Sequence, residues 1–183
     1  TQGQYAPGST FKVVTTLAYM RQNANYQDYT YRCTGEITAG KNEIHCFGND
    51  VHGTVDLADS LAYSCNTSFS NIGLSLDIDE FRNTAEDLLF DSELPCPLVY
   101  NESKFYLQDD DGDAAIAMTA FGQGKLQVSP YHMALITSAI ANNGILMQPY
   151  LVDQITSAEG ETVEKYVPES YKELMTSEEA AQL

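Results

Sequence analysis

The chain has 183 residues, 43% of them apolar, which is enough to supply the core of one domain or of one large piece of a domain. Asp and Glu outnumber Lys and Arg 26 to 9, and the net charge of −17 argues against a nucleic-acid partner and leaves no polybasic stretch for an anionic lipid surface. No apolar run approaches the roughly 20 residues that span a bilayer and the N-terminus carries no signal-peptide pattern, so the chain is expected to be soluble, with any membrane anchor lying upstream.

The first predicted element is a helix from Ser9 to about Asn23. Phe11, Val14, Leu17, Ala18 and Met20 recur at helical spacing, and Pro7-Gly8 stops the chain before the first turn, so Ser9 is expected to open the helix. Residues 26–54 are Tyr-, Gly- and polar-rich without a helical period and read as an irregular or hairpin excursion ending at His52-Gly53. Within it, Ala39-Gly40-Lys41-Asn42 reads as a turn that carries Cys33 and Cys46 to opposite sides of a hairpin. The two sulfurs then either form a disulfide or stay as reduced, half-buried thiols. His45 and His52 stand nearby, but typical structural zinc sites repeat close ligand pairs and this segment has none, so neither a metal nor another cofactor is expected.

Asp56 is the expected cap of a helix running through Tyr63. A break follows at Ser64-Cys65-Asn66, and a second helix starts near Thr67 and carries Phe69 and Ile72, so two helices flank a polar corner. Residues 79–90 are amphipathic, and 91–112 form a long surface connection closing in "DDDGD". Counted as a calcium loop with Gly112 sixth, the first and twelfth positions are Leu107 and Met118, which offer no side-chain oxygen; the acidic run reads as a solvated loop, with Asp113 capping the next helix. "AAIAMTAFGQG" is a short apolar helix stopped by glycines, and Ser129-Pro130 starts a helix over 130–143 that Asn143-Gly144 ends. Residues 145–157 and 162–167 alternate loosely around Ala158-Glu159-Gly160, as in a β-hairpin, and one more helix begins at Ser177.

Two short motifs carry chemistry. In "YAPGSTFK", Ser9 and Lys12 are three residues apart, so on a helix they share a face and approach within hydrogen-bond range. A serine hydroxyl becomes a good nucleophile when a base takes its proton, and a lysine whose pKa is lowered by burial and by the positive helix end can be that base. The free N–H groups of the same first turn can face an oxyanion. In "LAYSCNTSF", Ser64 and Asn66 stand two residues apart at the interhelical corner. Ser64 can pass a proton between Lys12 and a leaving amine, and the Asn66 amide can hold a substrate carbonyl and the lysine. Taken singly, the first motif reads more readily as a serine N-cap beside a solvated lysine and the second as an ordinary polar turn; the pair together shifts the balance toward chemistry.

The order S-x-x-K then S-x-N resembles that of penicillin-recognising acyl-serine enzymes, whose third element is K-T-G. "YAPGSTFKVVT", "HGTVDLADSLAYSCNTSF" and "FGQGKLQVSPYHMALITSAIANNG" look like segments of the transpeptidase domain of penicillin-binding proteins, in that family's order. The resemblance implies an α+β fold, here mainly the helical subdomain of the β-lactamase-like architecture, with small hairpins near 30–47 and 148–167 and most of the central sheet missing. It implies a nucleophile at Ser9, a general base at Lys12, and proton-relay and orienting roles at Ser64 and Asn66. It further implies attack on the D-alanyl-D-alanine end of peptidoglycan stem peptides, acylation by β-lactam antibiotics, contact with cell-wall assembly proteins, and an extracytoplasmic parent anchored in the bacterial membrane. None of Lys12, Lys41, Lys104, Lys125, Lys165 and Lys172 is followed by Thr-Gly or Ser-Gly, so residues 1–183 read as a partial transpeptidase domain that is nearly inactive by itself. The rival readings are a β-lactam sensor, which shares both motifs, and a catalytically silent scaffold. A serine β-lactamase fits less well: the E-x-x-L-N of one class is missing, and another class has tyrosine where Ser64 stands.

Overall fold

Phe11, Val14, Leu17 and Ala18 are fully buried, and they are why the first long segment is helical: their spacing turns one face into the core. In the computed structural model, which describes Thr1–Leu183, helix α1 spans Lys12–Gln22 and is entered through a tight 3-10 turn, Gly8–Phe11. Ser9 therefore lies inside this turn and caps nothing; the residue before the turn is Pro7, which makes no side-chain cap bond. Gly8 takes a left-handed φ of +58°, and its N–H donates to the Gly122 carbonyl at 2.8 Å. A Cβ on Gly122 would stand 2.0 Å from the Gly8 oxygen, so only glycine lets the loop after the fifth helix lie against the turn that holds Ser9. Behind the same turn, Phe11 packs with Phe81, Phe90 and Phe105 at ring separations of 5.7 to 6.4 Å.

The excursion after α1 holds two antiparallel ribbons. Strand β1 (Tyr31–Cys33) pairs with β4 (Gly53–Val55), and inside this pair β2 (Glu36–Ala39) and β3 (Asn42–His45) form a hairpin closed by Gly40-Lys41, as the turn residues predict. Cys33 and Cys46 do converge, with sulfurs 3.7 Å apart, but as free thiols and fully buried rather than half-buried. His45 is directed elsewhere: its ring lies 3.5 Å from Glu43 on the exposed face of the hairpin.

Helix α2 (Leu57–Ala62) is capped by Asp56, whose carboxylate accepts from the Asp59 N–H at 2.7 Å. Helix α3 (Asn66–Ser75) begins one residue earlier than its pattern predicts, because the Cys65 sulfur serves as its cap and accepts from the Ser68 N–H. α3 packs closely on α5 (Asp113–Ala120), where a Cβ on Gly73 would stand 2.4 Å from that of Ala120. Between them in sequence, α4 (Ile78–Asp87) is capped by Asp77 and ends earlier than the amphipathic stretch, since Leu88, Leu89 and Phe90 turn inward as buried coil. Asp113 is the first residue of α5 and not its cap; Gly112 stands at the cap.

Helix α6 (Pro130–Ala141) starts as predicted at Ser129, whose hydroxyl accepts from the His132 N–H, and stops two residues short of Asn143. The next stretch is not one strand. β5 (Ile145–Met147) pairs with β8 (Ser170–Glu173), while β6 (Gln154–Thr156) and β7 (Thr162–Lys165) form the exposed hairpin around Gly160. Helix α7 (Ser177–Gln182) closes the chain with a reciprocal capping box between Thr176 and Glu179. Helices on one core with four separate two-stranded ribbons make an α+β architecture without a central sheet. No helix is long and apolar enough to cross a membrane.

Candidate active site

The corner between α2 and α3 is built by a helix stop. Ser64 follows the last turn of α2 in the left-handed region, φ +54°; its N–H bonds the Leu61 carbonyl at 3.0 Å and the Cys65 N–H bonds the Ser60 carbonyl at 2.9 Å. This is the Schellman arrangement, in which glycine is the usual left-handed residue. Placing serine there costs of order 1 kcal/mol or more and aims a hydroxyl at the neighbouring element. Asn66, two residues on, lies in the first turn of α3 and is tied at Nδ2 to the His45 carbonyl at 3.2 Å.

Lys12 begins α1 and its side chain runs into this corner, fully buried. Its Nζ donates to the Ser64 carbonyl at 2.7 Å and to Asn66 Oδ1 at 2.8 Å. It also stands 2.8 Å from Ser64 Oγ and 3.2 Å from Ser9 Oγ, and Ser64 Oγ donates to Ser9 Oγ at 2.7 Å. All four partners are neutral oxygens. Two are carbonyls that can only accept, so they fix two N–H bonds and leave the third position on nitrogen, a proton or a lone pair, facing two hydroxyls. Burial pushes the ammonium pKa down to about 8, against the upward pull of the Cys65 and Cys46 sulfurs. The ring of Phe69 lies 5.5 Å below the nitrogen.

Ser9, Lys12, Ser64 and Asn66, all singled out from the sequence, thus meet at one point. Ser9 is exposed and lines a cleft of about 500 Å³ together with Gly8, Asn66 and, on the far wall, Phe47, Asp50, His52 and Tyr63. The Ser9 N–H has no partner within the chain. The far wall and the Gly8–Gly122 contact were missed in the sequence; the contact's signal was Gly122 of "FGQG", which read there as a helix stop.

The family model for the penicillin-binding protein transpeptidase domain matches residues 1–183. The chain belongs to that family. The peptidoglycan D,D-transpeptidase PbpA of Mycolicibacterium smegmatis is 33% identical over 98% of this chain and 37% of its own length. The D,D-transpeptidase domain of a peptidoglycan glycosyltransferase from Eggerthella lenta superposes with a TM-score of 0.89 at 28% identity, over 99% of this chain and 47% of that one. Penicillin-binding protein A of M. tuberculosis, solved as a penicillin G acyl-enzyme complex, gives 0.86 at 29% identity, over 99% of this chain and 42% of that one. The chain therefore spans less than half the length of these proteins.

Proposed function

We propose that the protein carrying this chain is a serine-type D,D-transpeptidase, in which residues 1–183 form part of the transpeptidase domain. The observation that carries the reading is the convergence of one buried, unpaired amine on Ser9 Oγ, Ser64 Oγ and Asn66 Oδ1. With Lys12 neutral, its lone pair takes the Ser9 proton as Oγ attacks the carbonyl carbon of the penultimate D-alanine in a stem peptide. The oxyanion forms beside the Ser9 N–H. As the C–N bond breaks, the proton passes from Lys12 through Ser64 Oγ to the departing D-alanine nitrogen, leaving an ester on Ser9. An acceptor amine then attacks that ester, gives up its proton by the reverse route, and releases Ser9 with a new peptide cross-link.

A β-lactam follows the first half of this path, its amide nitrogen staying tethered to the acyl group so that nothing leaves to open the site. That matches the acyl-enzyme chemistry named for penicillin-binding protein A. The substrates are peptidoglycan stem peptides, the site of action is outside the cytoplasm on a membrane-anchored parent, and cell-wall assembly proteins are its partners. These 183 residues contain no K-T-G, so a second oxyanion donor and a cation for the substrate carboxylate must come from other segments. Loss of one such donor typically lowers rate by about 100- to 1,000-fold, so residues 1–183 alone should be nearly inactive.

Labelling with a fluorescent penicillin tests the reading. The longer protein should label and its Ser9→Ala variant should not, while residues 1–183 label poorly. Equal labelling of wild type and variant removes the nucleophile assignment. A long-lived adduct with no cross-linking of stem peptides points to a β-lactam sensor, and no labelling at all to a silent scaffold.

A further inference from the structure

Cys65 sits between Ser64 and Asn66, but its side chain turns away from the cleft into the body of the protein. There it meets Cys33, from the end of β1, and Cys46, just past β3, while His52, just before β4, reaches in from the cleft side. The ligand atoms of these four residues all lie within 4.8 Å of one another. Cys33 and Cys46 sulfurs are 3.7 Å apart and Cys46 and Cys65 sulfurs 3.8 Å; His52 Nδ1 is 3.4 Å from Cys33 and 3.7 Å from Cys46.

We infer that Cys33, Cys46, Cys65 and His52 Nδ1 bind one zinc ion as a closed structural site. A tetrahedron with Zn–S near 2.3 Å and Zn–N near 2.05 Å has S–S edges of about 3.8 Å and S–N edges of about 3.6 Å. The four separations above match those edges, and a disulfide would draw two sulfurs to about 2.05 Å. Thiols merely in contact can stand at a similar spacing, but these sulfurs also receive a set of hydrogen-bond donors aimed at them. The Thr67 hydroxyl donates to Cys33 at 3.3 Å and also lies 3.4 Å from Cys65 and 3.6 Å from Cys46. The Ser68 N–H points at Cys65 at 3.4 Å and the His52 N–H at Cys33 at 3.5 Å. A neutral thiol is a poor acceptor, so this shell of donors suits thiolates, whose charge it offsets.

On binding, zinc replaces the three thiol protons, which pass to solvent, and the imidazole coordinates in its neutral form, leaving the site with one net negative charge. Three thiolates with one imidazole favour zinc over harder divalent ions. Four protein ligands leave no open position for a substrate, so the ion has no part in bond making. Its effect is positional: it fastens both ribbons to the first turn of α3 through the residue that separates Ser64 from Asn66. That consequence rests on the function proposed above, whereas the binding itself does not.

The test is the metal content of residues 1–183 purified under reducing conditions from zinc-supplemented cells. Wild type and Cys96→Ser should each carry one zinc per chain, and replacing it with cobalt(II) should give the visible absorption of a tetrahedral cobalt thiolate. Cys46→Ser and His52→Ala should lose that signature, and Thr67→Val should weaken zinc binding roughly 10- to 100-fold. The inference is overturned if the folded wild-type chain binds no more zinc or cobalt than a sample with its thiols alkylated, or if the chain isolated without chelator has a Cys33–Cys46 disulfide by mass. Penicillin labelling plays no part in these readings, so either proposal can fail while the other stands.

Discussion

The tripeptide Ser64-Cys65-Asn66 faces two ways. On its open side, two hydroxyls, an amide and one amine meet at a cleft; on its closed side, three buried sulfurs meet an imidazole that reaches in from the cleft wall. The open cluster is held by a few hydrogen bonds to neutral oxygens, which suits the proton transfer proposed for it, because its members would have to change partners as the proton moved. The closed cluster joins four separate segments at fixed spacing. Alternation along three residues of backbone thus joins the two clusters.

If the two sides have these separate roles, they should come apart under mutation. Lys12→Met in the longer protein should lower the rate of acylation by about 100- to 10,000-fold, the usual weight of a positioned base, with its zinc content unchanged. A stopped-flow acylation assay with metal analysis on the same sample checks both halves; zinc lost together with activity would mean that the clusters are one unit.

Acidity should separate the two sides as well. Burial holds the Lys12 pKa at about 8, and the base must be neutral to act, so acylation should rise with pH and level off above that value. Below it, each unit of pH removes about tenfold of the neutral form, so the rate at pH 6 should be about a hundredfold under the plateau. The groups facing Lys12 are the sulfurs of Cys65 and Cys46 and the oxygens of Ser9, Ser64 and Asn66. A flat pH–rate profile through this range would remove Lys12 as the base.

Cys46→Ser should act more gently on chemistry. Cys46 itself does not line the cleft and reaches its wall only through His52, so the substitution should lower acylation by about tenfold through misplacement of Ser64 and Asn66, together with loss of the metal. Its melting temperature, followed by circular dichroism, should fall as well. Thr67→Val should give the smallest change, a twofold or smaller loss of acylation beside its weakened zinc binding, measured in the same two assays.

The open cluster was legible because its chemistry is local. Ser9 and Lys12 lie on adjacent turns of one segment and Ser64 and Asn66 in one tripeptide, and only their meeting needed the family order of the motifs. Caps such as Asp56 and Ser129 and the turn Gly40-Lys41 were legible for the same reason. The closed cluster was not, since Cys33, Cys46, His52 and Cys65 are singletons whose convergence is set by the β1–β4 pairing and the hairpin inside it. The β5–β8 pairing was equally hidden, because it joins Ile145–Met147 to Ser170–Glu173 across an intervening hairpin. The left-handed φ of Ser64 had no local sign either, as serine is not the residue a Schellman stop usually takes.

The most direct measurement is peptide mass mapping of the longer protein after brief exposure to penicillin G. The account predicts the added penicilloyl mass on the tryptic peptide that ends at Lys12, with Ser9 as the modified residue. An adduct carried by the peptide containing Ser64, or unchanged in Ser9→Ala, would contradict it.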